Sequence, residues 1–263
     1  MDCKICKAQA ALFNQNTILS KYNISYFQCS NCLFIQTESP YWLDEAYSNA
    51  AISALDVGAV QRNLYLSNVI ARIIKKAFLE YDKTDFLDYG GATGLFTRLM
   101  RDKGLSFFHT DKYAQNIYAK GFELEDLNTD TNFKAVTVFE VFEHLDEPID
   151  EIKKLLTYSD TIIFSTELQP LDVNALKEWW YFIPETGQHI ALYHIKTLEN
   201  IASILNLKLY SNQKNLHILT KNTMPNNIEK YFKYPWHYRV YQKFFGNSKS
   251  LIIEDFQTTK KRL

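Results

Sequence analysis

The chain carries no excess of charge of either sign. Its 29 basic and 30 acidic side chains leave a formal net charge of −1. No global positive field is present to hold nucleic acid or an anionic membrane. There is no run of 18 apolar residues and no apolar N-terminal segment, so no membrane span or export signal is predicted and the expected location is the cytoplasm. There are no internal repeats and no low-complexity linkers. Beyond residue 32 there is no cysteine at all, and nothing points to a secreted disulfide scaffold. What remains is a chain of 263 residues, 46% hydrophobic and 15% aromatic. That is enough for a sizeable core in one large domain, or in a core domain with an appendage.

The four cysteines form two pairs, Cys3-Lys-Ile-Cys6 and Cys29-Ser-Asn-Cys32, with 22 residues between them. Two C-x-x-C knuckles at this spacing predict a tetrahedral zinc site with Cys3, Cys6, Cys29 and Cys32 as ligands. Four thiolates close the coordination shell, so the zinc is expected to be structural. The segment between the pairs buries little surface alone, and metal binding is expected to drive its folding.

The densest signal is Phe86-Leu-Asp-Tyr-Gly-Gly-Ala-Thr-Gly94, followed by Leu95-Phe-Thr-Arg-Leu-Met100 at helical spacing. Strand, glycine turn and helix in that order mark the place where open α/β sheets bind nucleotide-like ligands. Gly90 and Gly94 allow a tight turn and close approach to a ligand. Asp111 ends a second apolar run, 23 positions after Asp88, where an acid accepts hydrogen bonds from ribose hydroxyls. The dinucleotide pattern G-x-G-x-x-G is not met, which argues against a nicotinamide oxidoreductase.

The acid placed directly before this turn, as Asp88-x-Gly90-x-x-x-Gly94, resembles motif I of class I S-adenosylmethionine-dependent methyltransferases. Ala92 stands where that family usually has glycine. Val136-Thr-Val-Phe-Glu-Val-Phe-Glu-His-Leu-Asp-Glu-Pro148 resembles the fourth-strand motif of the same family, with Lys134 at a position where an acid is common. The resemblance implies S-adenosylmethionine as cofactor. It places Asp88, Gly90, Gly94 and Asp111 at the cofactor, Asp126 near its adenine and Glu140 near its methionine part.

Trp179-Trp-Tyr-Phe-Ile-Pro-Glu-Thr-Gly-Gln-His-Ile-Ala-Leu-Tyr193 resembles a loop of zinc-containing sugar C-methyltransferases. In that family a histidine of this loop is a proposed general base, and His189 matches it. Gln188 replaces the glutamate that precedes it. His144 matches a second active-site histidine. The N-terminal cysteine segment and Pro40-Tyr-Trp-Leu-Asp-Glu-Ala-Tyr47 are similar too, so the resemblance covers most of residues 1–220. It implies a sugar-like small-molecule substrate, with Tyr41, Tyr47 and Gln188 as substrate contacts. A histidine base suits an acceptor that is a hydroxyl, or a carbon next to a carbonyl.

The expected fold is α/β, a Rossmann-like, seven-stranded, mostly parallel sheet with a terminal antiparallel hairpin and a small N-terminal zinc module. Expected strands are 85–88, 106–111, 122–126, 135–140, 161–165, 207–212 and 216–220. The expected domains are a zinc module at 1–40, a helical connector at 41–80, the methyltransferase core at 81–220 and a tail at 221–263, helical near 229–245. Two other functions stay open. One is an RNA or protein methyltransferase gripping its substrate with the zinc module, although no dense Lys/Arg face supports RNA. The other is a non-catalytic scaffold that kept the fold.

Overall fold

The computed structural model describes residues 1–48, 54–127, 132–234 and 250–261. Its contacts divide the chain into two compact units, residues 1–48 with 128–223, and residues 49–127 with 224–263.

The first unit opens with a hairpin of β1 (Ala10–Ile18) and β2 (Tyr22–Cys29). Leu19 and Ser20 turn it with φ of 51° and 53°, the left-handed pair that matches the twist of paired strands. A register shift between Leu12 and Asn14 marks a bulge in β1. Next to β2 lies β3 (Ile35–Thr37), and next to β3 lies β8 (Ala191–Leu192). Strand β8 comes from a sequence segment about 150 positions away, so the N-terminal sheet recruits the loop that holds His189.

The same unit contains β6 (Val136–Phe139) parallel to β7 (Thr161–Ser165). The helix Pro148–Tyr158 makes the crossover, and its proline sits in the first turn, where no N–H is needed. Every residue of β7 is buried, as expected of a strand covered on both faces. Strand β10 (Leu216–Thr220) runs antiparallel to β7, and β9 (Lys208–Ser211) antiparallel to β10.

In the second unit β4 (Asp85–Tyr89) runs parallel to β5 (Ser106–Thr110), joined by the helix Leu95–Asp102. The helix Ala59–Ala77 buries Leu66, Val69, Ile70, Ile73 and Ile74 on one face. Leu64 of the same helix is 47% exposed. Tyr65 donates to the Phe232 carbonyl at 3.2 Å and Arg72 to that of Lys233 at 2.9 Å.

The α/β class stands: β4 and β5 pair in parallel in one unit, and β6, β7, β10 and β9 lie side by side in that order in the other. These are six strands among the described residues, where seven were expected. The missing one is 122–126. Leu124–Asp126 is a 3-10 turn, and only Glu123 bridges, to His109. The reason is local: the Glu123 and Asp126 side chains cap each other's backbone N–H groups, which closes a turn instead of extending a ladder. Among the described residues of 41–80 the α-helices are Leu43–Ser48 and Ala59–Ala77. The tail helix expected near 229–245 is a 3-10 turn at Ile228–Tyr231, and 235–249 lie outside the described residues. A helix at Ile252–Lys260 was not anticipated. No described helix is long and apolar enough to cross a membrane.

His217 on β10 is fully buried. Its Nε2 donates to the Thr166 carbonyl at 3.2 Å, so Nδ1 accepts from the Ser211 hydroxyl at 2.8 Å. Burial pushes its pKa down from 6.5 to about 4. The unfolded chain therefore takes up this proton first as pH falls. The stability held above pH 6.5 drains away towards pH 4, by ~3 kcal/mol for this one group. Other buried histidines act in the same direction, so His217→Gln is the control. Urea titrations of both proteins from pH 7 to 4 are expected to show a shallower fall in the variant. Equal slopes would show that His217 is not the group responsible.

Candidate functional site

The glycine turn of the second unit is held by four side chains. Asp88 is buried and accepts the Thr97 hydroxyl at 3.0 Å. It therefore anchors the turn to its own helix from below. Gly91 lies over it: a Cβ there would fall 2.4 Å from Asp88 Oδ2 and 2.7 Å from the His109 ring. His109 is buried, and its Nε2 reaches the Ala92 carbonyl at 3.0 Å. A carbonyl only accepts, so this nitrogen carries the hydrogen. Gly94 has φ of 79°, and a Cβ would meet Asn116 Oδ1 at 2.4 Å. Ala92 itself adopts φ of 48°. The backbone thus keeps the left-handed conformation that glycine favours even though this residue is not one.

Asp111 is the fourth holder. Its Oδ2 accepts the Ala92 N–H at 2.9 Å, and Oδ1 accepts those of Tyr113 and Ala114 at 2.8 and 2.7 Å. Three of the carboxylate's roughly four acceptor positions are filled, leaving one on Oδ2. Gly90 donates to the Thr110 carbonyl at 2.8 Å. Asp126 is exposed, and its carboxylate accepts the Glu123 N–H at 3.2 Å.

The first unit carries the remaining predicted residues. Glu140, just past the end of β6, has φ of 54°. Its N–H donates to the Ser165 hydroxyl at 3.0 Å, and that hydroxyl donates back to Glu140 Oε1 at 2.6 Å. Left-handed backbone in a non-glycine residue at a strand's carboxyl end is a common mark of functional positions. His144 and His189 come together, with ring centroids 5.1 Å apart and planes at 88°. Two hydrogen bonds join their segments: Ile190 N–H to the Glu143 carbonyl at 2.9 Å, and His144 Nδ1 to the Gln188 carbonyl at 3.1 Å. His189 Nδ1 lies 2.6 Å from the Tyr181 carbonyl. Burial, reinforced by His144, pushes the pKa of His189 down to about 3, and burial lowers that of His144. Both rings are neutral at physiological pH.

The Gln188 side chain donates to the Ala46 carbonyl at 2.9 Å, and the Tyr181 carbonyl orients His189. Tyr47 lies 6.2 Å from the His144 ring, centroid to centroid. Tyr41 is 66% exposed and packs edge-on against Tyr22 and Trp42. Of the aromatic run 179–182, Tyr181 and Phe182 are buried and only Trp180 is well exposed, at 66%. Sequence reasoning missed Gly91, His109, Thr97 and Glu143. Glu143 had a signal, since it directly precedes His144 in the motif at 136–148.

The four cysteines converge. All are free thiols, with Cys3 and Cys32 sulfurs 3.6 Å apart and those of Cys6 and Cys29 3.5 Å apart. Disulfide sulfurs sit at about 2.05 Å. One sulfur from each cysteine lies within 4.8 Å of all the others. Backbone N–H groups of Ile5, Asn31 and Cys32 point at Cys3 or Cys29 sulfur at 3.4 Å, which favours thiolates. The hydrogen bond from Cys32 holds the Cys3 thiol down at about 5, and the Cys32 thiol is pushed up in return. Lys4, inside the first knuckle, pairs with Asp146 and Glu147.

No curated protein sequence matches the chain. Among solved structures, it is similar to the plantazolicin methyltransferase BpumL in complex with S-adenosylhomocysteine, at 10% identity and a TM-score of 0.50, covering 70% of this chain and 95% of that one. It is also similar to an O-methyltransferase family 2 protein from Planctomyces limnophilus in complex with apigenin, at 11% identity and a TM-score of 0.45, covering 66% and 62%. A third is CalO1, a methyltransferase of calicheamicin biosynthesis, at 13% and 0.46, covering 68% and 61%. A methyltransferase-domain family model matches residues 61–212, more than half of the chain. The chain belongs to the methyltransferase-domain family, and it is an S-adenosylmethionine-dependent methyltransferase.

Proposed function

We propose that this enzyme methylates a small sugar-like acceptor, free or linked to a nucleotide or polymer, at carbon or oxygen. The glycine turn carries the reading. Glycines at 91 and 94 leave no room for a Cβ, and Asp111 keeps one acceptor position open. That position suits one ribose hydroxyl of S-adenosylmethionine, and the exposed Tyr113, Ile117 and Tyr118 offer apolar surface in the segment that follows. Asp88, Gly90 and Gly94 shape the turn, while Asp126 and Glu140 are assigned to the adenine and methionine ends. The four-sulfur set fits a structural zinc and would hold it with thiolates only.

On the acceptor side, His189 is the base and His144 its neighbour. Methyl transfer from a sulfonium is an in-line displacement, so alignment of donor and acceptor is the protein's main task. The acceptor must also lose a proton. With Nδ1 hydrogen-bonded to the Tyr181 carbonyl, His189 Nε2 has its lone pair free to take one. Burial keeps the ring neutral and also makes it a weaker base than a free imidazole, so proton transfer relies on close alignment with the acceptor. Tyr41, Tyr47 and Gln188 are assigned to the substrate side. His189→Ala is expected to lower kcat by about 10²- to 10⁴-fold, with the Kd for S-adenosylmethionine within about twofold. Parallel loss of both would point to a structural role. The panel of acceptors begins with nucleotide-linked and polymer-linked sugars, and activity on peptides or RNA alone would overturn the sugar assignment.

A further inference from the structure

Three ligating side chains outside the cysteine cluster meet in the first unit. Glu143 and His144 are consecutive on the 3-10 turn Phe142–His144, and His189 comes from the loop after β7. A carboxylate oxygen of Glu143 and one ring nitrogen of each histidine all lie within 4.8 Å of one another. The tautomers follow from the backbone. His144 Nδ1 faces the Gln188 carbonyl at 3.1 Å and His189 Nδ1 the Tyr181 carbonyl at 2.6 Å. Each Nδ1 must donate, so each Nε2 keeps its lone pair. A backbone carbonyl on the far nitrogen is how ligating histidines are oriented in metal sites. The Ile190-to-Glu143 backbone bond fixes the loop on the turn. Glu143 is fully buried and His189 is 8% exposed, while His144 keeps partial exposure, which gives solvent a way in.

We propose that Glu143, His144 and His189 bind a divalent first-row transition cation through one carboxylate oxygen and the two Nε2 atoms, at a site separate from the four-cysteine cluster. Two imidazoles and one carboxylate suit this class of ion; calcium and magnesium prefer all-oxygen shells. Three protein ligands leave a position open, whereas four thiolates leave none. An acceptor hydroxyl could take that position, and the ion would then lower its pKa and let its proton pass to solvent. This consequence rests on the acceptor reading above and changes one detail of it. One lone pair cannot hold both an ion and a proton, so in the loaded enzyme His189 acts by holding the ion.

The test starts from the full-length, zinc-loaded protein, titrated with Co(II) and followed by visible absorption. The expected result is one added Co(II) per chain at micromolar affinity, with weak d–d bands and no thiolate charge-transfer band. His144→Ala and His189→Ala are each expected to weaken it at least 100-fold. Glu143→Gln keeps the side chain's size and is expected to weaken it by 10-fold or more, with the circular dichroism spectrum unchanged. Binding only above millimolar, a thiolate-type spectrum, or variants as tight as the wild type would overturn the site. S-adenosylmethionine is titrated into the same samples. Cobalt bound without S-adenosylmethionine sinks the donor reading and supports the ion site, and the reverse result sinks the ion site and keeps the donor.

Discussion

Asp111→Ala is expected to weaken S-adenosylmethionine binding by about 100-fold or more, because each hydrogen bond to a charged group contributes about 1.5–3 kcal/mol. Two losses combine. The ribose hydroxyl loses its acceptor, and the turn loses the pin that holds the Ala92 N–H at 2.9 Å. The Tyr113 and Ala114 N–H groups, now at 2.8 and 2.7 Å from the carboxylate, lose their acceptor too. Asp111→Asn separates the contributions, since its single amide oxygen can replace only one carboxylate oxygen. Its affinity should fall between those of wild type and alanine. Calorimetric titration of S-adenosylmethionine and S-adenosylhomocysteine decides the matter. An alanine variant within twofold of wild type would remove Asp111 from the cofactor site.

The second large effect is expected on removing the zinc proposed for the cysteine cluster. Structural zinc in small modules supplies apparent binding energies of about 10–16 kcal/mol. Cys3, Cys29 and Cys32 are almost fully buried, and the module is wired onward. The Thr197 hydroxyl donates to the Cys32 carbonyl at 2.8 Å, and Gln169 Nε2 to the carbonyls of Leu33 and Leu192 at 2.9 and 2.8 Å. Loss of the metal should therefore loosen β3 and β8 along with the knuckles, and with β8 the loop of His189. A strong chelator, or Cys29→Ser with Cys32→Ser, is expected to lower the melting temperature by ~10 °C or more for a loss of several kcal/mol. Elemental analysis should find one zinc in this cluster per chain. Protein purified without metal in the cluster and melting at the same temperature with or without chelator would show that the cysteines pack as ordinary buried thiols.

Much of the fold is legible because its signals are local. A short apolar run followed by Asp88, three glycines and a helical repeat has few alternatives to a strand–turn–helix unit. Strands β4 to β7, β9 and β10 lie where their apolar runs place them. Paired C-x-x-C knuckles point to a common centre, since two thiols three residues apart sit on one turn. These patterns depend on neighbours in sequence.

Other features depend on neighbours in space. Strand β8 has two residues and exists only because β3 offers an edge to Ala191 and Leu192. Residues 122–125 alternate apolar and polar like a strand, but a reciprocal cap between Glu123 and Asp126 closes the segment into a turn. Gln188 sits beside His189 in sequence, yet its side chain reaches the Ala46 carbonyl. His109 reads as an ordinary strand residue until the fold brings it under Ala92. Glu143 reads as part of a motif until burial and two histidines surround it.

The sequence alone determined the class of fold, the glycine turn and the cysteine cluster, because spacing along the chain carries that information. The tertiary structure decided which side chains hold the turn, which carbonyl sets each histidine's tautomer, and which carboxylate stands beside them. Those choices depend on hydrogen bonds between residues far apart in the chain, and a buried polar group takes whichever partner the fold brings within about 3 Å.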